Sequence, residues 1–516
     1  MKPPIIELEG IVKAFGDCIA NDGVSLTVEA GSIHALVGEN GAGKTTLMKI
    51  LYGLYQPDAG EIRIAGESVR LRSPADALAR GLGMVHQHFV LVPPLTVAEN
   101  ITLGREATTG PFLDIARASA AVRALSDRYG LAVDPDARVE TLSVGQEQRV
   151  EILKALYHGA RILILDEPTA VLTPQETEEL FAVLRELKAA GTTIVLITHK
   201  LREVLDLSDR VTVMRDGTTV GTRETAATSI PELAELMVGR PVLLTLEKKA
   251  ATPGAAVLEI ESLEVRDDRR LPAVRGLSLS VRAGEIVGIA GVEGNGQAEL
   301  VEAILGLRPI AAGAARLAGT SLDGLAPRAI AALGVAHVPA DRLKRGLVLD
   351  FPLEDDLVFG RHHEPVFHRG PLVDRAAIRD FATRRLAEFD VRPPDPTVRA
   401  GKLSGGNQQK LVVAREFTRD ARLLIAAHPT RGVDLGAIEF IHREIVRQRD
   451  AGRAVLLVSS ELSELLALAD RIIVLYEGRI VHETPADATD ERTLGEYMTG
   501  RAAATAATSA APDPRA

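Results

Sequence analysis

The chain alternates between short apolar runs rich in Ile, Leu and Val and longer stretches in which apolar residues recur every three or four positions. In the first half, the apolar runs are IHALV from Ile33, ILIL from Ile162 and TTIVLIT from Thr192. The stretch QETEELFAVLRELKAAG, from Gln175, has the periodicity of a helix. Apolar strands separated by helices are typical of a parallel sheet that is covered on both faces. The pattern therefore predicts an α/β fold.

The same pattern occurs twice along the chain. GVSLTVEAGSIHALVGENGAGKTTL begins at Gly23 and returns as GLSLSVRAGEIVGIAGVEGNGQAEL from Gly276. TLSVGQEQRVEILKAL begins at Thr141 and returns as KLSGGNQQKLVVAREF from Lys402. Self-similarity over such a long period indicates two homologous domains, which we call lobe 1 and lobe 2.

The domain boundaries follow from matching lobe ends and from composition. LMVGR, ending at Arg240, mirrors YMTGR, ending at Arg501. The segment between the lobes contains Pro, Gly and small residues without periodicity, which is typical of a short linker. The last stretch is Ala, Thr and Pro with almost nothing to bury, which predicts a disordered tail. We predict lobe 1 over residues 1–240, a linker over 241–256, lobe 2 over 257–501 and the tail over 502–516.

Composition narrows the class of protein. A chain of 516 residues is too long for a single core. A net charge of −10 argues against nucleic acid as the partner, because such binding relies on many contacts from Lys and Arg. The single cysteine, Cys18, excludes an internal disulfide framework and fits a reducing cytosol. The start MKPPIIELEG lacks the design of a secretion signal, and no apolar run approaches the roughly 18 residues of a membrane helix.

A phosphate-binding loop lies in lobe 1 between a predicted strand and a predicted helix. GENGAGKT satisfies G-x-x-x-x-G-K-[ST], and it follows IHALV and precedes KTTLMKILYGL. Glycines let successive backbone N–H groups point at phosphates, and the helix N-terminus adds positive potential. We expect Lys44 to hold the β and γ phosphates of ATP and Thr45 to hold Mg²⁺. The predicted nucleotide-binding residues of this loop are Gly38, Glu39, Asn40, Gly41, Ala42, Gly43, Lys44, Thr45 and Thr46.

Two acidic residues follow the apolar run ILIL. Asp166 and Glu167 stand where that strand ends, at the edge of the sheet that also carries the phosphate loop. Carboxylates at this place suit a magnesium ion and an attacking water. We assign Asp166 to the metal, directly or through water, and Glu167 to polarising the water as a general base.

The segment LSVGQEQRV lies between the phosphate loop and the acidic strand, and it resembles the signature sequence of ABC transporter ATPases. The resemblance extends over both lobes and implies two tandem P-loop NTPase domains, each with a mainly parallel sheet and a helical subdomain. It implies that Gln87 senses Mg²⁺ and the permease, that His199 contacts the γ-phosphate and that Phe15 stacks on adenine. Two departures are AVLT at residues 170–173, where the family commonly has Ser-Ala-Leu-Asp, and Val144, where it has Gly.

Lobe 2 keeps the glycines of its loop, GVEGNGQA, but has lost the residues with catalytic chemistry. Removing a transition-state donor or a general base typically costs about 10²-fold or more in rate. We therefore predict that lobe 2 hydrolyses nothing useful, while its binding of nucleotide stays open. The replacements are Gln297 for the lysine, Ala298 for the hydroxyl, Ala427 and His428 for the two acids, Ser460 for the histidine and Ala340 for the glutamine.

In ABC proteins, each ATP lies between the phosphate loop of one lobe and the signature of the other. By that resemblance, the competent site joins lobe 1 to the intact LSGGNQ of lobe 2, with Ser404, Gly405 and Gly406 binding nucleotide. The disarmed loop of lobe 2 would face LSVGQ, the signature with the valine. The resemblance thus implies one hydrolysis site.

Within the family, MVHQHFVLVPPLTVAEN, GNGQ and AAHPTRGVD are similar to the ATPases of nucleoside importers, with monosaccharide importers as the alternative. Such ATPases work with transmembrane permease subunits and, indirectly, with an extracytoplasmic solute-binding lipoprotein. The resemblance implies a peripheral location on the cytoplasmic face of the membrane. Two other classes are disfavoured: soluble tandem ATPases that act on ribosomes, which have a long charged linker, and regulators without turnover, which would not need the complete catalytic set of lobe 1.

Overall fold

The computed structural model describes residues 4–16, 18–86, 89–169, 172–241 and 248–500. The chain divides into two compact units, Met1–Val242 and Leu243–Ala516, which contain lobe 1 and lobe 2. Both units are α/β, as the apolar pattern predicts. Within the described ranges, no helix combines the length and apolar character that are needed to cross a bilayer.

Lobe 1 contains twelve strands and eight α-helices in the described ranges. The strands are β1 Pro4–Phe15, β2 Cys18–Glu29, β3 Ile33–Gly38, β4 Ala59–Ile64, β5 Glu67–Ser68, β6 Leu82–Val85, β7 Thr108–Thr109, β8 Phe112–Leu113, β9 Ile162–Asp166, β10 Thr193–Ile197, β11 Arg210–Arg215 and β12 Thr218–Glu224. The helices are α1 Lys44–Leu51, α2 Pro74–Ala79, α3 Val97–Thr102, α4 Ile115–Tyr129, α5 Val144–Tyr157, α6 Pro174–Ala189, α7 Leu201–Leu207 and α8 Ile230–Val238.

The central sheet of lobe 1 has the strand order β12-β11-β3-β10-β9-β6. Five of the strands are parallel, and only β12 is antiparallel to its neighbour. The three predicted apolar runs form β3, β9 and β10, and every residue of these strands is buried. Because parallel strands end at the same edge, the phosphate loop after β3, Asp166 at the end of β9 and the segment after β10 come together there.

Two hydrophobic cores lie on the two faces of this sheet. Along β9, Ile162 and Ile164 belong to the core that includes α1 and the strands β1, β2 and β4. Leu163 and Leu165 belong to the other core, with helices α3 to α6. Since side chains alternate between faces along a strand, a run of apolar residues is required wherever both faces are covered. Burial on both faces fixes the strand ends that carry the catalytic candidates.

Two further layers flank the central sheet of lobe 1. An antiparallel sheet has the order β2-β1-β4-β5. Helices α3, α4 and α5 contact one another and form the helical subdomain that the family resemblance implies. A capping box at Thr96 and Glu99 fixes the start of α3, inside the predicted segment VPPLTVAENI. The short hairpin β7–β8 lies between α3 and α4.

Lobe 2 repeats the architecture with β18-β21-β22-β15-β23-β24 as its central sheet and β14-β13-β16-β17 as its antiparallel sheet. Its strands are β13 Ala256–Arg266, β14 Pro272–Arg282, β15 Ile286–Ala290, β16 Ile310–Leu317, β17 Thr320–Ser321, β18 Val335–Val338, β19 His368–Arg369, β20 Leu372–Val373, β21 Leu423–Ala427, β22 Ala454–Val458, β23 Arg471–Tyr476 and β24 Arg479–Pro485. Its α-helices are α9 Gln297–Ile304, α10 Pro327–Ala332, α11 Leu353–Leu357, α12 Arg375–Glu388, α13 Gly405–Phe417, α14 Leu435–Asp450, α15 Leu462–Leu468 and α16 Glu491–Met498.

The middle of the predicted linker is attached to lobe 2. Lys248 Nζ donates to the carbonyl oxygens of Leu468, at 3.0 Å, and Ala469, at 2.6 Å, where α15 ends. It also pairs with Asp470 at 3.0 Å. The guanidinium of Arg449, 2% exposed, donates to the Lys249 carbonyl and pairs with Asp470. A cation at a helix C-terminus is favourable because it meets the negative end of the helix dipole.

Candidate nucleotide-binding and catalytic site

The phosphate loop of lobe 1 wraps around the side chain of Lys44. The Nζ of this lysine donates to the Gly38 carbonyl at 2.7 Å and to the Glu39 carbonyl at 2.9 Å. Burial lowers the pKa of Lys44, while the charges of Glu167, Asp166 and Glu39 act in the opposite direction. The structure thus places an ammonium group within the electrostatic reach of both acidic candidates, at the start of α1.

At two positions of the loop, a neighbouring strand lies so close to the backbone that only glycine fits. Gly43 precedes α1 with φ at 93°, in the left-handed region. A Cβ on Gly43 would lie 2.2 Å from the Ala20 carbonyl oxygen, and one on Gly38 would lie 2.3 Å from the Met214 carbonyl oxygen. Gly41 also has a positive φ, of 87°, but a Cβ there would meet no atom within 4 Å. Tight packing against neighbouring strands therefore fixes the loop at two points.

We expect Gly43→Ala to destabilise lobe 1 more than Gly41→Ala does. Both changes place an alanine at positive φ, which costs about 1 to 2 kcal/mol. Only Gly43→Ala adds a clash with strand β2, so its total cost should reach about 3 kcal/mol. The measurement is the thermal unfolding midpoint of the first transition of the full chain without nucleotide. Equal midpoints for the two variants would contradict the packing described above.

Asp166 and Thr45 lie close together beside the loop. The Thr45 side chain, at the start of α1, lies near enough to Asp166, at the end of β9, to lower the pKa of its carboxyl. Burial raises the pKa of this carboxyl, the neighbouring charge of Glu167 raises it further, and Thr45, Lys44 and Lys49 oppose the shift. A buried carboxylate next to a second acid is a place where an added cation would be favourable.

Glu167 is held in a fixed position opposite His199. Its backbone has a φ of 49°, which non-glycine residues rarely adopt, and its N–H donates to the Ile197 carbonyl at 2.9 Å. Its Oε1 lies 2.9 Å from Nδ1 of His199. This hydrogen bond lowers the pKa of Glu167, against the opposing effect of burial. Strained backbone of this kind clusters at functional sites, where the surroundings maintain it.

A buried polar network that the sequence analysis did not identify supports this pair. Thr169 Oγ1 donates to Glu203 Oε1 at 2.6 Å, and Thr198 Oγ1 donates to Glu203 Oε2 at 3.3 Å. Lys200 joins the same group through the Thr169 carbonyl, at 3.2 Å, and through Glu203, at 3.6 Å. The network therefore ties the segment after Glu167 to the segment that carries His199. Its signal in the sequence is weak, because Glu203 lies on a helix with no motif.

Asn21 is a second residue that the sequence analysis missed. It is fully buried in strand β2, and its Nδ2 donates to the Gly43 carbonyl of the phosphate loop at 3.2 Å. The aligned repeat has Val274 at this position in lobe 2. A polar residue at a buried strand position in the lobe with the complete loop, replaced by an apolar one in the other, is the signal that could have found it.

The structure describes only one of two further residues to which the family resemblance gives a role. Phe15 ends strand β1 and is 45% exposed, with its ring packed edge to face on Tyr55 at 5.3 Å. It pairs with Cys18, so it lies near the part of β2 that approaches Gly43. Its stacking on adenine remains a prediction. Gln87 lies outside the described residues, as do Ala170 and Val171.

The equivalent place in lobe 2 has the same backbone and different chemistry. His428 has a φ of 45°, and its N–H donates to the Val458 carbonyl at 2.7 Å, which matches the backbone of Glu167. Burial lowers the pKa of His428, so the imidazole is neutral at pH 7. Gln297 is buried and donates from Nε2 to the Val292 carbonyl at 3.2 Å. Lobe 2 therefore presents no ammonium group and no carboxylate at these positions.

The signature segments start a long helix in each lobe. Ser404 caps α13, and its Oγ accepts a hydrogen bond from the Asn407 N–H at 3.4 Å. A Cβ on Gly405 would lie 2.7 Å from Arg342 Nη2, and one on Gly406 would lie 2.3 Å from Asp434 Oδ2. In lobe 1, Ser143 caps α5 and Val144, 43% exposed, takes the place of Gly405.

The residues around Asp166 have the donor types that magnesium accepts. Mg²⁺ takes oxygen ligands and is typically held by one or two carboxylates together with the phosphates of its substrate. The Thr45 hydroxyl is near enough to the Asp166 carboxylate to affect its pKa. No cluster of three or more His, Cys, Asp or Glu residues with metal-binding geometry occurs in the described ranges. The donor set therefore fits a metal that shares its shell with a nucleotide, rather than a site made by protein alone.

Comparison with known proteins identifies the family. The fold and the loop define a P-loop ATPase, and the family model "ABC transporter" matches residues 21–170 and 274–431. The guanosine import ATP-binding protein NupO of Bacillus subtilis (strain 168) is 51% identical over 96% of this chain and 97% of its own length. The nucleoside import ATP-binding protein NupA of Lactococcus lactis subsp. cremoris (strain MG1363) is 48% identical over 96% and 98%.

A relative named for a different solute is also similar to this chain. The glucose import ATP-binding protein TsgD13 of Haloferax volcanii is 47% identical over 98% of this chain and 97% of its own length. A solved ATP-binding cassette of an ABC transporter, in its ADP conformation, is 27% identical, covers 46% of this chain and 100% of its own, and has a TM-score of 0.42. The chain belongs to the ABC transporter family. It is a tandem ABC-type import ATPase, which confirms the predicted fold class and enzyme class.

Proposed function

We propose that this chain hydrolyses ATP at one site, in lobe 1, to energise the uptake of nucleosides through an ABC permease. The observation that carries the proposal is the Glu167–His199 pair, 2.9 Å apart, next to the phosphate loop and Lys44. Lobe 2 has the same backbone at Ala427 and His428 without the carboxylates. A single hydrolysis site is the simplest interpretation of two lobes that differ in this way.

The chemistry in lobe 1 is the transfer of the γ-phosphoryl group of ATP to water. Water attacks the γ-phosphorus, the bond to the β,γ-bridging oxygen breaks, and ADP leaves with that oxygen. Because its pKa is lowered, Glu167 is ionised at neutral pH, and it accepts the proton that the water loses as it attacks. An ionised Glu167 requires a proton on His199 Nδ1, and Nε2 donates to the γ-phosphate when it carries a proton as well, that is, in the imidazolium form. Lys44 stabilises the charge on the β and γ phosphates.

We further propose that Thr45 and Asp166 hold Mg²⁺, together with Gln87. When bound, the ion neutralises charge on the β and γ phosphates and so makes the γ-phosphorus easier to attack. The proximity of the Thr45 hydroxyl to Asp166 supports this assignment. The raised pKa of Asp166 also supports it, because a cation would relieve the repulsion between this carboxyl and Glu167.

The signature of lobe 2 is proposed to complete the site, in accordance with the family resemblance. Ser404, Gly405 and Gly406 would bind the γ-phosphate of the nucleotide that lobe 1 holds. The start of α13 supports this role, because the N-terminus of a 13-residue helix offers N–H groups and a positive dipole end. Val144 in the signature of lobe 1 supports the complementary proposal that the other site is degraded on both sides.

The nucleoside assignment rests on the relatives. NupO and NupA carry guanosine and nucleoside import in their names, at 51% and 48% identity over nearly the whole chain. A glucose importer at 47% identity makes monosaccharides the second candidate. The partners are transmembrane permease subunits and, indirectly, an extracytoplasmic solute-binding lipoprotein. The chain would then lie on the cytoplasmic face of the membrane as a peripheral subunit.

We expect ATP-dependent uptake of labelled nucleosides when the chain is reconstituted with its permease and binding protein in proteoliposomes. Guanosine and adenosine are compared with ribose and glucose at equal concentration. A nucleoside signal that disappears with Glu167→Gln would support the proposal, because it links uptake to the catalytic site.

The same assay separates the alternatives. Transport of ribose or glucose alone would replace the nucleoside assignment and leave the ATPase in place. ATP hydrolysis without movement of either class of solute would overturn the transport proposal.

A further inference from the structure

The loop after β18 in lobe 2 differs from its counterpart in lobe 1. It spans residues 339–352, between β18 and α11, whereas the lobe 1 loop spans residues 86–96. The longer loop contains a π-helical turn, Arg342–Gly346. Asp341 fixes the start of this turn by accepting from the N–H groups of Leu343 and Lys344, both at 3.0 Å. Short π-helical segments frequently occur at functional sites.

Arg342, the first residue of this turn, contacts two other segments of lobe 2. Its Nη1 donates to the Arg431 carbonyl at 2.8 Å, and its Nη2 donates to the Gly432 carbonyl at 3.3 Å. Its Nε lies 3.5 Å from Gln408 Oε1, on the signature helix α13. One guanidinium thus joins the loop after β18, the RGVD turn after β21 and the signature helix.

The contacts of Arg342 and of the RGVD turn leave no room for a side chain at the two signature glycines. Gly405 leaves room for the guanidinium, because a Cβ there would lie 2.7 Å from Arg342 Nη2. Gly406 leaves room for the carboxylate of Asp434, because a Cβ there would lie 2.3 Å from Asp434 Oδ2. Asp434 ends the RGVD turn and caps α14 through the Ala437 N–H, at 2.7 Å. The start of α13 is therefore enclosed by Arg342 on one side and the turn on the other.

The charge of Arg342 is unusual for such a place. Among the described residues it forms no ion pair within 4.0 Å, and burial lowers its pKa, with only Asp341 opposing. A cation next to the N-terminus of a helix is unfavourable, because it meets the positive end of the helix dipole. Hydrogen bonds from the planar guanidinium to two backbone carbonyls therefore explain the presence of Arg342 at this helix N-terminus better than charge pairing does.

We propose that Arg342 is a positioning residue for hydrolysis: it holds Ser404–Gly406 in the orientation that the ATP on lobe 1 requires. This inference rests on the proposed role of the lobe 2 signature in the competent site. Arg342 acts through the signature helix and through the turn. Because it lies on the loop that matches the permease-sensing loop of lobe 1, it also connects that loop to the signature.

The test compares Arg342→Met with Arg345→Met in the chain assembled with its permease in lipid. Arg345 lies in the same π-helical turn, but its side chain is 59% exposed and pairs with Glu302 at 2.6 Å. We expect Arg342→Met to lower kcat for ATP at least about tenfold, because the signature is misaligned when the lobes engage nucleotide. Arg345→Met should leave kcat unchanged, because Arg345 pairs only at the outer side of Glu302, which keeps its second partner, Arg308, at 2.7 Å.

A second readout separates positioning from general damage to lobe 2. The affinity of the full chain is measured for a fluorescent ADP analogue, because ADP lacks the γ-phosphate that Ser404–Gly406 would bind and is not turned over. We expect Arg342→Met to leave this affinity within about twofold, because the phosphate loop of lobe 1 is intact. Arg342→Lys should recover part of kcat, since a lysine can reach one carbonyl but cannot span two. Equal losses in kcat and affinity, or no recovery with lysine, would overturn the proposal.

Ser404→Ala distinguishes failure of this inference from failure of the proposed function. Its matched control is Ser143→Ala, because Ser143 caps the signature helix of lobe 1 in the same way. If Ser404→Ala leaves turnover unchanged, the lobe 2 signature is not part of the site and both proposals fall. If Ser404→Ala reduces turnover while Arg342→Met does not, only the role of Arg342 is wrong.

Discussion

Replacing Glu167 with glutamine is expected to abolish ATP turnover by the assembled transporter. Glutamine has the same shape but cannot accept a proton, and a general base is worth about 10²- to 10⁴-fold in rate. The backbone of Glu167 is held by the Ile197 carbonyl and by its position at the end of β9, so the change should not disturb the loop. Phosphate release at saturating ATP is the measurement.

The matched control for this change is His428→Gln, at the equivalent position in lobe 2. His428 has the same left-handed backbone and the same type of bond to the next strand, from its N–H to Val458. If lobe 1 contains the competent site, the control should alter turnover by no more than about twofold. A loss of turnover with His428→Gln, or activity retained with Glu167→Gln, would show that the site has been assigned to the wrong lobe.

Lys44→Met is expected to have the second large effect, on binding as well as on turnover. Lys44 is the one buried cation among the described residues of the lobe 1 phosphate loop. Removing a donor to transition-state charge typically costs about 10²- to 10³-fold in rate. Affinity should also fall, because charge-assisted bonds to phosphate are about twice as strong as neutral ones. Titration with a fluorescent ATP analogue and phosphate release measure the two effects.

The reverse change in lobe 2 is the control for Lys44→Met. Gln297→Lys restores a lysine to the second loop but not the carboxylates that Ala427 and His428 replace. Turnover should therefore stay close to that of the unchanged chain. A large gain in turnover with Gln297→Lys would mean that lobe 2 has another base, and the single-site proposal would then be wrong.

Much of the fold follows from the sequence because the central strands are buried on both faces. IHALV, ILIL and TTIVLIT become β3, β9 and β10, and strands in that position are rich in Ile, Leu and Val, with a buried polar residue such as His34 hydrogen-bonded to a neighbour. The antiparallel sheet was not predicted. Strand β1 buries only Ile6, Leu8 and Ile11 among its twelve residues, and β-bulges interrupt its register with β2, so no simple period stands out.

The residues of the candidate site that belong to sequence motifs could be predicted. Lys44, Asp166, Glu167 and His199 lie together because each follows a neighbouring parallel strand or begins the helix after it. The left-handed backbone of Glu167 could not be predicted, because glutamate carries no local signal for positive φ.

The residues that sequence reasoning missed are those that act through long-range packing. Asn21 contacts the phosphate loop from a different sheet. Glu203 joins two segments from a helix, and Arg342 makes hydrogen bonds to residues far along the chain. None of these contacts leaves a periodicity or a short motif, because each depends on which strands and turns become neighbours after folding. Comparing the two lobes position by position reveals Asn21, since only one lobe has a polar residue there.

The contacts of Lys248 determine where the gene can be split so that the two lobes are expressed as separate chains. A second half begun at Val257, the first residue of the predicted lobe 2, would lack the ammonium group at the end of α15. It would also uncover Arg449, which is 2% exposed and donates to the Lys249 carbonyl. A half that begins before Lys248 keeps both contacts. Split-protein complementation should therefore succeed with the longer second half and yield an unstable fragment with the shorter one.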